Sequence, residues 1–159
     1  MNSSEKVKDL SELKEIVSKL KKQGKKIVTT NGCFDLLHVG HVIYLEKARE
    51  FGDVLIVGIN SDESVKKLKG RMRPLMPEIE RSTIVAALES VNYVFVFDES
   101  NPIKFIEELK PDFHVKGGDY REEEIIEKKA IEENGGKLVL LDEVDNASTS
   151  NIIKKIRGL

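Results

Sequence analysis

Two histidines, His38 and His41, stand three positions apart in a short segment that also contains Gly32 and Gly40. The segment follows a β-branched run and precedes an amphipathic one, so it predicts a turn between a strand and the start of a helix. Backbone N–H groups and the helix dipole favour negative charge at such a helix start, and each imidazole can donate a hydrogen bond to a phosphoryl oxygen. This combination favours phosphate binding and suits a phosphoryl-transfer transition state, which needs electrostatic stabilisation.

The histidine pair has two other interpretations. Histidines near a helix start are often capping or surface residues, but here the pair lies in a glycine-bounded turn after the first strand. A zinc site would use Cys33, Asp35 and His38, whose spacings differ from the usual paired ligands, so we predict no metal ligand among them. Cys33 is the only cysteine, which excludes an internal disulfide and suggests a small buried thiol. The third histidine, His114, falls in a predicted strand and receives no role.

The elements that must position these residues alternate regularly along the chain. The predicted strands are 26–30, 53–59, 93–97, 112–116 and 137–141, and the predicted helices are 9–23, 40–51, 61–68, 77–90, 102–109, 122–133 and 148–156. This alternation indicates a doubly wound α/β fold, with a five-stranded parallel sheet in the order 3-2-1-4-5 and a Rossmann-like arrangement. Ligands of such sheets bind beyond the carboxyl ends of the strands, so we expect the site after strands one, four and five.

Composition restricts the class of protein. The chain has 159 residues, 40% of them hydrophobic and 34% charged, with a net charge of −2. This balance predicts one globular domain over 1–159. The first predicted helix gives a lead-in segment over 1–24, and the histidine segment and the predicted strands lie in a candidate catalytic core over 25–159. The near-neutral charge predicts neither a nucleic-acid nor a membrane partner. Without an apolar leader or a spanning run, we expect a cytoplasmic protein.

Two further segments carry candidate ligands at predicted strand ends. The last helix begins with Ser148, Thr149 and Ser150, whose hydroxyl groups and free N–H groups would form an anion site. An ordinary helix cap would account for only one of these three hydroxyl residues. The segment after strand four contains Lys116, which can neutralise phosphate, and Asp119, which can hold a sugar hydroxyl; a plain glycine turn is the alternative.

A basic segment over 69–74 follows the third predicted helix and precedes the fourth, and its glycine and proline predict a mobile loop. Charge runs are usually solvated faces. Close to a triphosphate, however, such a loop can close over substrate and offset developing charge. Lys69 and Arg81 are the candidates that we select from this region as catalytic residues.

The segments 32–35 (Gly-Cys-Phe-Asp) and 38–41 (His-Val-Gly-His) resemble the signature of the cytidylyltransferase-like nucleotidyltransferase superfamily. The resemblance implies that the histidines bind the triphosphate and stabilise the pentacoordinate α-phosphorus, without a covalent enzyme intermediate. The segments 66–81, 115–120 and 148–156 also resemble its basic loop, its Gly-Asp-aromatic segment and its phosphate-binding helix start. The implied nucleotide-binding residues are Gly32, Cys33, Phe34, Asp35, His38, Gly40, His41, Lys116, Gly117, Ser148, Thr149 and Ser150. The implied acceptor-binding residues are Asp35, Gly118, Asp119 and Tyr120.

Within the superfamily, residues 24–156 are most similar to the adenylyltransferases of ADP-heptose synthesis. This resemblance implies transfer of AMP from ATP to D-glycero-β-D-manno-heptose 1-phosphate for a surface glycan such as lipopolysaccharide, with Mg²⁺ entering with ATP, and a homodimer. That activity is often the C-terminal half of a bifunctional protein with a sugar kinase, so we expect a separate kinase here.

Three alternatives stay open. A cytidylyltransferase for glycerol 3-phosphate or phosphoethanolamine would share the motifs, as would an adenylyltransferase for FMN or phosphopantetheine synthesis. A nucleotide-binding sensor without turnover would keep the phosphate loops but should lose His38 or His41, and both are present.

Overall fold

The computed structural model describes residues 1–118, 124–142 and 149–158. After the N-terminal helices, strands and helices alternate as the sequence predicts, with two helices between the second and the third strand. In chain order the elements are α1 (Ser3–Lys6), α2 (Leu10–Lys22), β1 (Ile27–Gly32), α3 (Val39–Arg49), β2 (Val54–Asn60), α4 (Asp62–Lys69), α5 (Glu78–Ala86), β3 (Tyr93–Phe97), α6 (Ile103–Leu109), β4 (Phe113–Gly117), α7 (Lys128–Glu133), β5 (Lys137–Leu141) and α8 (Thr149–Arg157).

The five strands form one parallel sheet in the order β3-β2-β1-β4-β5, which confirms the predicted order. Ile27 of β1 pairs with Val54 of β2, and Thr29 of β1 pairs with His114 of β4. Because all the strands are parallel, their carboxyl ends lie at one edge of the sheet. The order reverses at β1, so the turn after β1 lies between the ends of β2 and β4.

Apolar side chains cover both faces of the sheet. On one face, α2, α6 and α7 pack against the strands through residues such as Leu13, Ile106 and Ile131. On the other face, α3 and α5 pack through Leu45 and Val85. The two buried layers explain why β2 is buried at every position and reads as a continuous apolar run. They confirm the doubly wound arrangement.

The N-terminal segment contains one helix that the sequence analysis does not predict. Helix α1 spans four residues, and Asn2 caps it by accepting a hydrogen bond from the Glu5 amide at 3.0 Å. Val7 then forms a parallel bridge with Val94 of the edge strand β3. Helix α2 is the predicted lead-in helix, and Gly24 follows it with a φ of 77°, as expected of a residue that ends a helix.

Two predicted helix boundaries are wrong. Helix α7 begins at Lys128, whereas the prediction begins it at 122; residues 124–127 are described and are not α-helical. Their turn buries Ile125 and the carboxylate of Glu127 instead of continuing a helical face. Helix α5 ends at Ala86 rather than at 90, because the following amides bond three residues back, as from Leu88 to Val85. Among the described helices, none is long and apolar enough to cross a membrane.

Candidate active site

A cavity of about 600 Å³ opens at the carboxyl ends of β1, β2, β4 and β5. It occupies the place that the sheet order predicts for a ligand. The residues that line it are Asn31, Gly32, Cys33, Phe34, Asp35, His38, Gly40, His41, Tyr44, Asn60, Lys69, Arg73, Lys116, Gly117, Asp142, Thr149 and Ser150.

Most of the residues predicted for the site therefore lie around one space. Of the described candidates, Gly118 and Arg81 do not line the cavity. Asp119, Tyr120 and Ser148 lie outside the described residues. Asn31, Tyr44, Asn60, Arg73 and Asp142 line it, although the prediction does not select them.

The turn after β1 is held in an unusual conformation. Phe34 has a φ of 45°, a left-handed value that is rare for a bulky residue and that commonly marks a functional site. Its ring packs over Gly32, where a Cβ atom would lie 2.9 Å from the ring. Gly32 is therefore needed for the close approach of the Phe34 ring, which also lies 5.2 Å from the His41 ring.

The two histidines form a stacked pair at the start of α3. Their ring centroids are 3.8 Å apart with an interplanar angle of 28°. The backbone N–H of His38 donates to Nδ1 of His41 at 3.3 Å, so in the neutral ring the proton is on Nε2. Nδ1 of His38 is buried, with no hydrogen-bond partner among the described residues. This pair presents donors and an unpaired polar atom at the cavity.

The electrostatic environment keeps both rings neutral. Burial, with a smaller contribution from His38, lowers the pKa of His41 to about 4. Burial also lowers the pKa of His38. A neutral imidazole with Nε2 protonated donates a hydrogen bond near pH 7 without placing a charge in the stack.

Arg81 lies behind the cavity wall. Its side chain is fully buried, and its guanidinium donates to the carbonyls of Cys33, Asn60 and Met76 and to the Asp62 carboxylate. The direct catalytic contact expected for Arg81 is not what the structure shows. Because four of its five N–H donors are used within the protein, Arg81 is a positioning residue that holds the turn after β1 against the end of β2.

Asp35 also acts within the protein. The Asp35 side chain is fully buried. Its carboxylate accepts hydrogen bonds from Nε of Arg73 and from the backbone amides of Leu75 and Met76. These three donors occupy both oxygens. The contacts fix the end of the basic segment to the β1–α3 turn; mobility of the residues before Arg73 stays a prediction.

The floor of the cavity is built on Tyr44 of α3. Its hydroxyl lies 2.7 Å from Oγ1 of Thr30 and donates to the Val115 carbonyl at 3.0 Å. Burial raises the pKa of this phenol to about 12, so it stays protonated. A Cβ atom on Gly117 would lie 2.9 Å from the Tyr44 ring, which explains the glycine at this position.

Lys116, predicted to neutralise phosphate, lines the cavity from the end of β4. Its ammonium group lies 2.5 Å from Oε1 of Glu127, whose side chain is 1% exposed. Oε2 of Glu127 has no hydrogen-bond partner among the described residues. Glu127 therefore orients Lys116 through this contact, and the sequence analysis does not identify it.

Helix α8 contributes Thr149 and Ser150 to the cavity. The Thr149 hydroxyl donates to the carbonyl of Leu36 at 3.0 Å, which joins the start of α8 to the turn after β1. The predicted proximity of these two chain segments is thus present in the fold.

The last residues to place are Cys33 and His114. Cys33 is half-buried, and burial raises the pKa of its thiol, with neighbouring cations opposing the shift. His114 is fully buried on the sheet, with Nδ1 2.8 Å from Oγ1 of Thr29, and it does not line the cavity. No cluster of three or more metal-ligating side chains occurs among residues 1–118, 124–142 and 149–158.

Comparison with known proteins identifies the family. Residues 29–155 match the family described as cytidylyltransferase-like. This chain belongs to that family. It is a nucleotidyltransferase, as the resemblance of its histidine segment predicts.

Curated relatives are named bifunctional protein HldE. The protein of Geotalea uraniireducens is 54% identical over 98% of this chain, and that of Actinobacillus succinogenes is 52% identical over 94%. The chain spans only 32% and 31% of the length of these two relatives.

Solved structures share the fold. A lipopolysaccharide core biosynthesis protein from Thermoplasma volcanium has a TM-score of 0.64 and 27% identity over 78% of this chain and 100% of its own. A pantoate-beta-alanine ligase from Francisella tularensis has a TM-score of 0.64 over 96% of this chain and 78% of its own; at 18% identity it shows the fold alone.

Proposed function

We propose that the protein transfers AMP from ATP to D-glycero-β-D-manno-heptose 1-phosphate and releases pyrophosphate, in lipopolysaccharide or another surface-glycan synthesis. The main support for this proposal is that the stacked pair of His38 and His41 lies in one cavity with Lys69, Lys116 and the start of α8. The similarity to HldE proteins supports a role in heptose activation.

In this proposal the triphosphate lies along the cavity with its β- and γ-phosphates toward Thr149 and Ser150. An oxygen of the sugar phosphate attacks the α-phosphorus; a P–O bond forms there, and the bond to the bridging oxygen of pyrophosphate breaks in line. The attacking group is already an anion, so no strong general base is needed. His41 donates from Nε2 to the phosphoryl oxygens as charge develops.

The substrate is expected to be Mg²⁺–ATP. The described residues supply isolated carboxylates and not a cage, which fits an ion carried mainly by triphosphate oxygens. The ion would neutralise charge on the leaving pyrophosphate. A homodimer is part of the same proposal, and light scattering of the purified protein tests it.

Pyrophosphate release tests the reaction. The assay crosses ATP and CTP with heptose 1-phosphate, glycerol 3-phosphate and phosphoethanolamine, and the proposal expects turnover for ATP with heptose 1-phosphate. Two variants distinguish the loss of the Nε2 hydrogen-bond donor from the loss of the ring itself. His41→Gln can place an amide near the Nε2 position, whereas the side chain of His41→Asn is too short to reach it. We expect His41→Asn to lose about 100-fold or more in kcat and His41→Gln to lose less.

Other outcomes have definite meanings. Turnover with CTP and another acceptor would retain the chemistry and refute the proposed substrates. Calorimetric binding of ATP without turnover for any acceptor would instead favour a nucleotide sensor.

A further inference from the structure

Asp35 and Arg73 form a buried ion pair at the edge of the cavity. Oδ2 of Asp35 accepts from Nε of Arg73 at 2.5 Å, while Oδ1 accepts from the amides of Leu75 at 2.8 Å and Met76 at 3.0 Å. The Asp35 side chain is 0% exposed, and the Arg73 side chain is 19% exposed. A carboxylate with three protein donors has little remaining capacity for a ligand, so it fixes Arg73 in place.

The bond from Nε leaves the rest of the guanidinium available. Arg73 lines the cavity, and among the described residues no hydrogen bond is made by its two Nη groups. Those groups carry four N–H donors in one plane, which matches the oxygens of a phosphate in bidentate geometry. Because Asp35 already orients the plane, less side-chain freedom is lost when an anion binds.

The sheet order indicates which substrate's phosphate group would lie next to Arg73. The segment with Lys69 and Arg73 follows β2, whereas α8 with Thr149 follows β5, so they approach the cavity from opposite sides of β1. His38 and its stacked partner follow β1 between them. An in-line transfer places the entering and leaving oxygens on opposite sides of the α-phosphorus. With pyrophosphate leaving toward α8, the entering phosphate lies on the β2 side.

We infer that Arg73 binds the phosphate group of the acceptor, and that Asp35 is the positioning residue that aims it. The inference rests on the proposed function for the direction of the triphosphate. It changes the role expected for Asp35 from direct contact with a substrate to orientation of the residue that makes the contact.

Steady-state kinetics with each substrate varied separately tests this assignment. Arg73→Ala is expected to raise the KM for the sugar phosphate on the order of 10- to 100-fold while the KM for ATP changes less than about threefold. Asp35→Asn turns an amide N–H toward Nε of Arg73, so it should raise the same KM by a smaller factor. Arg157→Ala is the matched control, because Arg157 is exposed at the far end of α8 and does not line the cavity.

The kinetic results can refute the role of Arg73 without refuting the proposed function. If Arg73→Ala raises the KM for ATP instead, or changes both KM values equally, Arg73 does not serve the acceptor and the inference is wrong. A purely structural role of Asp35 would lower kcat and the unfolding midpoint without selecting one KM.

If the wild type turns over no acceptor, calorimetry with mannose 1-phosphate, glycerol 3-phosphate and inorganic phosphate, each with a non-hydrolysable ATP analogue, decides separately. Binding that Arg73→Ala abolishes and Arg157→Ala retains supports the inference while the proposed function fails. Binding of none of these probes to the wild type, or equal binding to both variants, overturns it.

Discussion

Because His114 is buried and takes up a proton only when the chain unfolds, the protein should become less stable as the pH falls from 7 to 5. Burial lowers the pKa of this ring to about 3 in the folded protein, with Lys116 adding to the shift. The unfolded chain has a histidine pKa near 6.5, so between those values it binds a proton that the folded chain does not. A fall in pH stabilises the state that binds more protons, and here that is the unfolded state.

The magnitude follows from linkage. At pH 5 the unfolded ring is almost fully protonated and the folded ring is neutral, which costs about 2 kcal/mol relative to pH 7. Burial of His41 acts in the same direction. The lowered pKa values of Asp9, Asp53 and Asp112 matter mainly below this window, since they remove stability as the pH falls through the acid range.

Urea denaturation of wild type and His114→Asn at pH 7 and pH 5 measures the effect. The asparagine can retain a hydrogen bond to Thr29 but does not titrate. The variant should lose about 2 kcal/mol less than the wild type between the two pH values, whatever its stability at pH 7. Equal pH-dependent losses in the two proteins would refute the assignment of a neutral, buried His114.

Two further predictions concern buried polar groups beside the cavity. Tyr44→Phe should lower the free energy of unfolding by about 1–3 kcal/mol in urea denaturation, because Thr30 and the Val115 carbonyl lose a buried partner. Arg81→Lys keeps the charge but cannot reach four acceptors at once, so it should cost roughly 3–5 kcal/mol; a loss below about 1 kcal/mol would contradict the positioning role.

The fold was largely predictable because its signals are local. Continuous apolar runs such as that of β2 indicate strands buried on both faces, and Gly24 marks the end of the lead-in helix. The start of α7 was not predictable in this way. The charged sequence of 122–127 has helical composition, but the structure buries Ile125 and Glu127, and Glu127 contacts Lys116 at the end of β4.

The position of the candidate site was predictable from the strand order together with the histidine segment. The residues that hold the site's side chains in place were less predictable. Glu127 looks like any acidic residue of a charged surface helix, and only the structure places its carboxylate against Lys116. Tyr44 is one residue of the helix that follows β1, and nothing in its spacing shows that its hydroxyl reaches β1 and β4.

Asp35 and Arg81 show why side-chain patterns alone mislead about contact with substrate. Both are charged residues next to a phosphate-binding motif, yet their partners include backbone groups of Cys33, Leu75 and Met76 that no residue pattern displays. Met76 joins the two residues, since its amide donates to Asp35 and its carbonyl accepts from Arg81. Burying two charges is costly, and such networks can fix one geometry where an apolar contact would allow several.

The network fixes the segment from Arg73 to Met76 to the turn after β1, whereas Met72 is 80% exposed. We therefore expect any closure of the basic segment to involve Lys69 to Met72 and to leave Arg73 in place. Lys69 can then follow the substrate, while Arg73 serves as a fixed anchor for an incoming anion.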